Sequence, residues 1–333
     1  MPEPRTTCFF RRIRFIAAWI LLVSLVGTGV LIWLMADRLL TPRRRSHEPH
    51  HARILSNPTD FGLEIQPFSA TAADGAILQA MLVAPSTRTG QAVKRRRMEE
   101  RLGGRKIRGT VLMIHGRGGI KEDELAMTER FVAAGLRCVI YDTRAHGQSG
   151  GRFCTYGHLE VNDAIRVLET ADKRFALDLQ NEPVFAFGYS LGGAVAVQLL
   201  GQHGNRFAAA AVVAPFRDIG DIVAFSGERH SRGWLPGFFA PACVALAEAR
   251  VGFNSEKIRP VTAALAIETP ILIAHGEKDL VIPVSHGRSV FEAIPKATPK
   301  HWMPIADAYH GDVFLKGGDN LYQAMIEFWL NNS

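Results

Sequence analysis

The order of apolar segments predicts an α/β domain built on a mostly parallel sheet with helices on both faces, and three observations carry that expectation. Short continuous apolar runs at 110–114, 137–141, 183–187, 208–213 and 271–274 alternate with stretches of helical period. Strands apolar on both sides belong to sheets covered on both faces, as βαβ crossovers provide. The chain has 333 residues, of which 47% are apolar, enough for one large core plus an appendage.

Each element follows from its own residues. Residues 1–14 form a basic N-terminal segment carrying Arg5, Arg11, Arg12 and Arg14. Residues 15–36, FIAAWILLVSLVGTGVLIWLMA, contain no charge and predict a transmembrane helix. At about 1.5 Å per residue, a helix of that length spans roughly 33 Å, against a hydrocarbon core of about 30 Å. Trp19 and Trp33 lie toward its two ends, where amphipathic rings favour the interface. A cleaved signal peptide has a shorter apolar core and a small-residue cleavage site, and Met35-Ala36-Asp37-Arg38 is a poor one. The expectation is therefore a single-pass membrane protein. Four arginines precede the span and Arg38, Arg43, Arg44, Arg45 and Arg53 follow it, so charge asymmetry assigns no side to the domain.

Residues 37–61 are polar and lack an apolar period, and read as a solvated linker. The cluster His47, His50 and His51 within it reads as part of a polar tether rather than a metal site. A domain is expected over 62–333. It opens with two apolar-rich runs, 63–70 and 76–84, separated by the hairpin signal Asp74-Gly75. An exposed basic insertion follows at 88–108, with nine Lys or Arg and two Glu, suited to contact with anionic lipid. Helices are expected over 121–134, 158–172 and 191–200, and another near Leu321, Ala324, Met325 and Phe328.

The net charge of +7 suggests nucleic-acid binding, but the basic residues crowd into the first fifty positions and 88–108 without interleaved aromatics. No nucleic-acid partner is expected. Four cysteines without a CxxC pair give neither a disulfide framework nor a metal site.

The chemistry points to strand ends, where sites form in parallel sheets. The run Phe187-Gly188-Tyr189-Ser190-Leu191-Gly192-Gly193 places a hydroxyl between glycines, just after one apolar strand and before an apolar helix. Such a strand-to-helix turn exposes a nucleophile, and glycines let neighbouring backbone approach. A serine needs a base and the base an orienting acid. Asp279 follows the run 271–274 and His310 follows 301–305, giving the order Ser, Asp, His. Asp218, just past another strand, is a rival acid. Asp307 and Asp312 read as loop residues, and His115, His146 and His275 as histidines that order loops. The backbone N–H groups of Leu191 and of Arg117, in the loop His115-Gly116-Arg117-Gly118-Gly119, are candidate oxyanion donors. That loop lacks the GKS/T and GxGxxG patterns of a phosphate cradle.

With those residues in place, the chain from about 63 to 331 resembles the α/β-hydrolase superfamily, and within it the serine-aminopeptidase-like (S33) and Bem46-like hydrolases. The matching stretches are 115–119, 141–151, 155–164, 188–193, 275–283 and the region of His310. The resemblance implies Ser190 as nucleophile, Asp279 as acid, His310 as base and an oxyanion hole at Arg117 and Leu191, with no metal or organic cofactor. It also implies a cap at about 217–266, a segment containing Trp234, Phe238, Phe239 and Phe253. Arg117 departs from the smaller or apolar residue common in relatives, and reads either as a contact for an anionic substrate or as a solvent-facing side chain. The basic insertion is outside the pattern. The expected function is a membrane-anchored serine hydrolase cleaving a carboxylic ester or related acyl bond of a small-molecule or lipid-like substrate. Aminopeptidase, amidase or acyltransferase chemistry on the same triad is the alternative, and a non-catalytic membrane-tethered binding protein the rival of a different class.

Overall fold

The computed structural model describes residues 5–86, 107–230 and 239–333. In chain order its elements begin with α1 (Arg5–Leu40), α2 (Pro49–Ser56), the hairpin β1 (Leu63–Thr71) and β2 (Ile77–Pro85), then β3 (Gly109–Ile114), α3 (Leu125–Ala133) and β4 (Leu136–Tyr141). Next come α4 (Glu160–Phe175), β5 (Val184–Tyr189), α5 (Leu191–His203), β6 (Ala209–Val213), α6 (Ile219–His230), α7 (Ala240–Val251) and α8 (Pro260–Ala263). The chain ends with β7 (Ile271–Gly276), α9 (Val284–Ala293), β8 (Lys300–Ile305) and α10 (Val313–Asn331).

The strands form one eight-stranded sheet in the order β1-β2-β4-β3-β5-β6-β7-β8. The β1–β2 hairpin pairs antiparallel, and β2 joins β4 antiparallel at one side. From β4 onward every pairing is parallel. This is the α/β-hydrolase fold, with the mostly parallel sheet that the continuous apolar strands predict. Pleat alternation divides the core in two. Leu112 and Ile114 of β3 point to the side covered by α4 and α5, through Val161, Leu168, Val195 and Leu199. Val111 and Met113 face α3 and α10, where Trp329 stacks on Phe185 at 5.8 Å and meets Phe131 edge-on at 5.0 Å.

Among the described residues, α1 is the one helix long and apolar enough to cross a membrane. It runs past both ends of the uncharged stretch 15–36. Phe15 is 65% exposed and Leu34 50%, so among the described residues much of this apolar surface is uncovered, whereas Ala36 and Leu40 are fully buried.

The segment 37–61, expected as a solvated linker, has many exposed residues but is fastened to the domain at several points. Arg44 donates to the carbonyls of Gly147 and Gly151 at 3.2 and 2.9 Å, and Arg45 pairs with Asp123 at 3.0 Å. His51 is buried, and its Nδ1 accepts the Glu48 N–H at 2.9 Å. Ile54 joins the core beside α3. The partners of these arginines lie some eighty to one hundred positions away, and no local periodicity reports such contacts.

Of the expected cap, α6, α7 and α8 fall among the described residues, and Phe253 is buried in the main core. Trp234 and Phe238 lie outside the described residues, as does all of the basic insertion 88–108 except its last two positions.

Candidate active site

The turn at Ser190 is tight because of what surrounds it. Ser190 has φ 57° and ψ −117°, a backbone conformation that costs a side-chain-bearing residue about 1–3 kcal/mol. Two hydrogen bonds hold it there: its N–H donates to Val213 O at 2.9 Å, and its carbonyl accepts the Ala194 N–H at 3.0 Å. Glycine is required on both flanks. A Cβ on Gly188 would lie 2.3 Å from Gly192 O, and one on Gly192 would lie 1.9 Å from Ile114 O. The end of β5, the start of α5 and the end of β3 therefore touch backbone to backbone.

His310 lies at the turn between β8 and α10, and its Nε2 is 2.9 Å from Ser190 Oγ. Its Nδ1 is 2.6 Å from Asp279 Oδ2, so the imidazole bridges hydroxyl and carboxylate. Asp279 follows β7. Its Oδ1 accepts the backbone N–H groups of Val281 and Ile282, both at 2.8 Å. Burial alone would raise this carboxyl. Hydrogen bonds from His275 and His310, the charge of His310 and the Ile282 N–H outweigh burial and hold it well below the usual carboxylate range. It is thus an anion under the imidazole, which keeps the Nδ1 proton in place and leaves Nε2 as acceptor for Ser190.

The structure brings Ser190, Asp279 and His310 together and leaves the rivals elsewhere. Asp218 accepts the Gly220 N–H at 2.7 Å and pairs with Arg259 at 2.6 Å. Asp307 pairs with Lys278 at 2.6 Å, and Asp312 accepts the Tyr309 N–H at 2.6 Å. His115 accepts the Thr143 N–H at 3.0 Å and donates to Gly116 O at 2.7 Å, ordering its loop. Leu191 opens α5 directly after Ser190. The 115–119 loop abuts the serine, since a Cβ on Gly116 would sit 3.3 Å from Ser190 Cβ.

The Arg117 side chain is exposed, as one of the two sequence readings has it, and it also makes contacts that the sequence did not predict. Its Nε–H donates to Tyr156 Oη at 3.1 Å, and Nη2 donates to the carbonyls of Arg38 and Leu39 in the last turn of α1.

Two further contributors escaped sequence reasoning. Tyr189 stacks on the His310 ring, with centroids 5.2 Å apart and planes 28° from parallel, and donates its hydroxyl to His310 O at 2.6 Å. Burial pushes the Tyr189 phenol up, so it stays a donor at any ordinary pH. His275, read only as a loop-ordering residue, donates Nε2–H to Ile282 O at 2.9 Å, and that same nitrogen is 3.5 Å from Asp279 Oδ2. The signal for Tyr189 was its place inside the turn motif; for His275, it was four residues' separation from the acid.

The groups present suit activation of a hydroxyl by a histidine oriented on a carboxylate. Among the described residues no group of three or more His, Cys, Asp or Glu side chains is placed to hold a metal ion.

A family model described as serine aminopeptidase, S33, matches residues 105–260. That match includes Ser190 and stops short of Asp279 and His310. The protein YqkD of Bacillus subtilis, described as uncharacterized, is 25% identical over 225 residues, or 67% of this chain and 71% of its own. The monoacylglycerol lipase of Mycolicibacterium smegmatis is 23% identical over 261 residues, covering 67% of this chain and 88% of that enzyme. Among solved structures, an esterase of Pyrococcus furiosus aligns with a TM-score of 0.64 at 18% identity, over 88% of this chain and 98% of the esterase. At that identity the structural likeness carries the fold alone. The family match and the sheet order agree on the α/β-hydrolase fold.

Proposed function

We propose that this chain is a membrane-anchored serine hydrolase that cleaves a carboxylic ester or related acyl bond through an acyl-enzyme. The observation that carries the reading is the continuous hydrogen-bonded line from Ser190 Oγ through His310 to Asp279, at 2.9 and 2.6 Å. As Ser190 Oγ attacks the acyl carbonyl, His310 Nε2 takes the hydroxyl proton and Asp279 stabilises the imidazolium. The oxyanion rests on the backbone N–H groups of Arg117 and Leu191. Imidazolium then protonates the leaving group. Water, deprotonated by the same imidazole, attacks the acyl-enzyme and restores Ser190.

A lipid-like acyl substrate is supported by two independent features. One is the apolar helix α1, much of whose surface is uncovered among the described residues. The other is the likeness to a monoacylglycerol lipase. The description of the matching family model as a serine aminopeptidase favours a second reading, amide hydrolysis on the same triad. Turnover of p-nitrophenyl esters against amino-acid anilides separates the two.

The primary test is fluorophosphonate labelling of the detergent-solubilised protein. Wild type is expected to label, and Ser190→Ala and His310→Ala to lose the label, with ester turnover down by about 10⁴ or more. A folded wild type that stays unlabelled counts against the whole reading.

A further inference from the structure

The loop that carries one of the two proposed oxyanion donors is tied, through its own side chain, to the end of the membrane helix. Arg117 reaches the carbonyls of Arg38 and Leu39 with Nη2, while its Nε–H meets Tyr156 Oη at 3.1 Å. Tyr156 in turn donates its hydroxyl to Leu39 O at 2.9 Å. One residue further on, Leu40 O accepts the Cys154 N–H at 2.8 Å. The last carbonyls of a helix have no partner within it and carry its negative end, so a guanidinium is a fitting cap. Here the cap comes from a loop abutting Ser190 rather than from α1 itself. A second contact at the same helix end, Asp37 with Arg250 at 2.7 Å, fastens α1 to α7 and does not involve the 115–119 loop.

We propose that the last turn of α1 is a positioning element of the active site, with the Arg117 and Tyr156 side chains fixing the Arg117 N–H where the oxyanion forms. This rests on the reading of Ser190 as nucleophile and of the 115–119 loop as half of the oxyanion hole. An oxyanion donor acts only when it is held about 3 Å from the developing charge, so a loop released from its strap loses turnover while the donor N–H itself remains. Arg117 thereby has two separate duties: its backbone faces the reaction and its side chain holds the anchor.

The test uses the full chain in detergent micelles, with p-nitrophenyl butyrate as substrate and a fluorophosphonate as probe of Ser190. Arg117→Ala is expected to lower kcat by about tenfold or more, with KM within roughly twofold and slower labelling. Tyr156→Phe, which removes one oxygen, is expected to give a smaller loss in the same direction. Arg117→Lys, which returns one donor to the helix carbonyls, is expected to recover part of kcat. Asp37→Asn loosens the same helix end through α7 and is the comparison for general loosening. Labelled wild type with unchanged kcat in both Arg117→Ala and Tyr156→Phe would overturn the inference while leaving the hydrolase reading intact. A loss in Asp37→Asn with none in Arg117→Ala would overturn it too, since the helix end would then act without the Arg117 strap. An unlabelled wild type would overturn both.

Discussion

Glu124 sits at the turn between the 115–119 loop and α3, buried, with its Oε2 lacking a hydrogen-bond partner. Burial, helped by neighbouring Asp123, raises its carboxyl from 4.5 to about 8. Between those values the folded state keeps a proton that the unfolded chain has released. Stability therefore falls as pH rises through that window and is level above it. At 1.36 kcal/mol per unit, the fall is on the order of 5 kcal/mol. Urea unfolding at several pH values from 5 to 8 is expected to show it as the difference between wild type and Glu124→Gln, because buried His115 and His146, held below their ordinary range, titrate in both. At this scale the sequence was legible where a residue's role follows from its place in the chain. Ser190, Asp279 and His310 lie one, three and five positions past the ends of β5, β7 and β8, and parallel strands bring such positions to one edge. Tyr189, Tyr156 and Glu124 were not legible, because their roles depend on partners brought near only by folding.

At the scale of elements, α5 meets β3 with no room for a side chain between them. A Cβ on Gly192 would overlap the carbonyl of Ile114, which β3 cannot withdraw without breaking its parallel pairing with β4 and β5. Gly192→Ala is expected to cost about 3 kcal/mol or more in urea unfolding, at the upper end for overpacking. Gly311→Ala, with nothing within 4 Å of the added carbon, is the comparison expected to leave stability nearly unchanged. The strands and helices themselves were readable from apolar runs and period, including the hairpin at Asp74-Gly75, where Gly75 has φ 83°. The miss was 37–61. Arg44 and Arg45 look like solvated charge in sequence, yet they bind carbonyls and an acid far along the chain.

For the molecule as a whole, the reading of α1 as a membrane span predicts that the protein stays with the membrane pellet after an alkaline carbonate wash. Release into the supernatant would show that α1 does not hold the protein in a bilayer. Composition made this prediction available from sequence, and the covering of α1's far end by the catalytic domain was not. Apolar character alone does not separate Ala36 and Leu40, which are fully buried, from Leu34, which is half exposed.

That covered end leaves no leash. A globule on a flexible tail of twenty-five residues would wander over a hemisphere above the lipid, meeting molecules in the water as readily as those in the leaflet. Here contacts with α7 begin inside the uncharged stretch, where Arg250 lies over the Trp33 ring at 5.3 Å and Cys243 Sγ meets Met35 Sδ at 3.9 Å. With α1 in a bilayer, the serine keeps one height and one tilt, and its encounters are confined to a plane. Turnover then follows the mole fraction of substrate in the surface rather than its bulk concentration, and diluting the substrate with inert lipid slows the reaction at constant total amount.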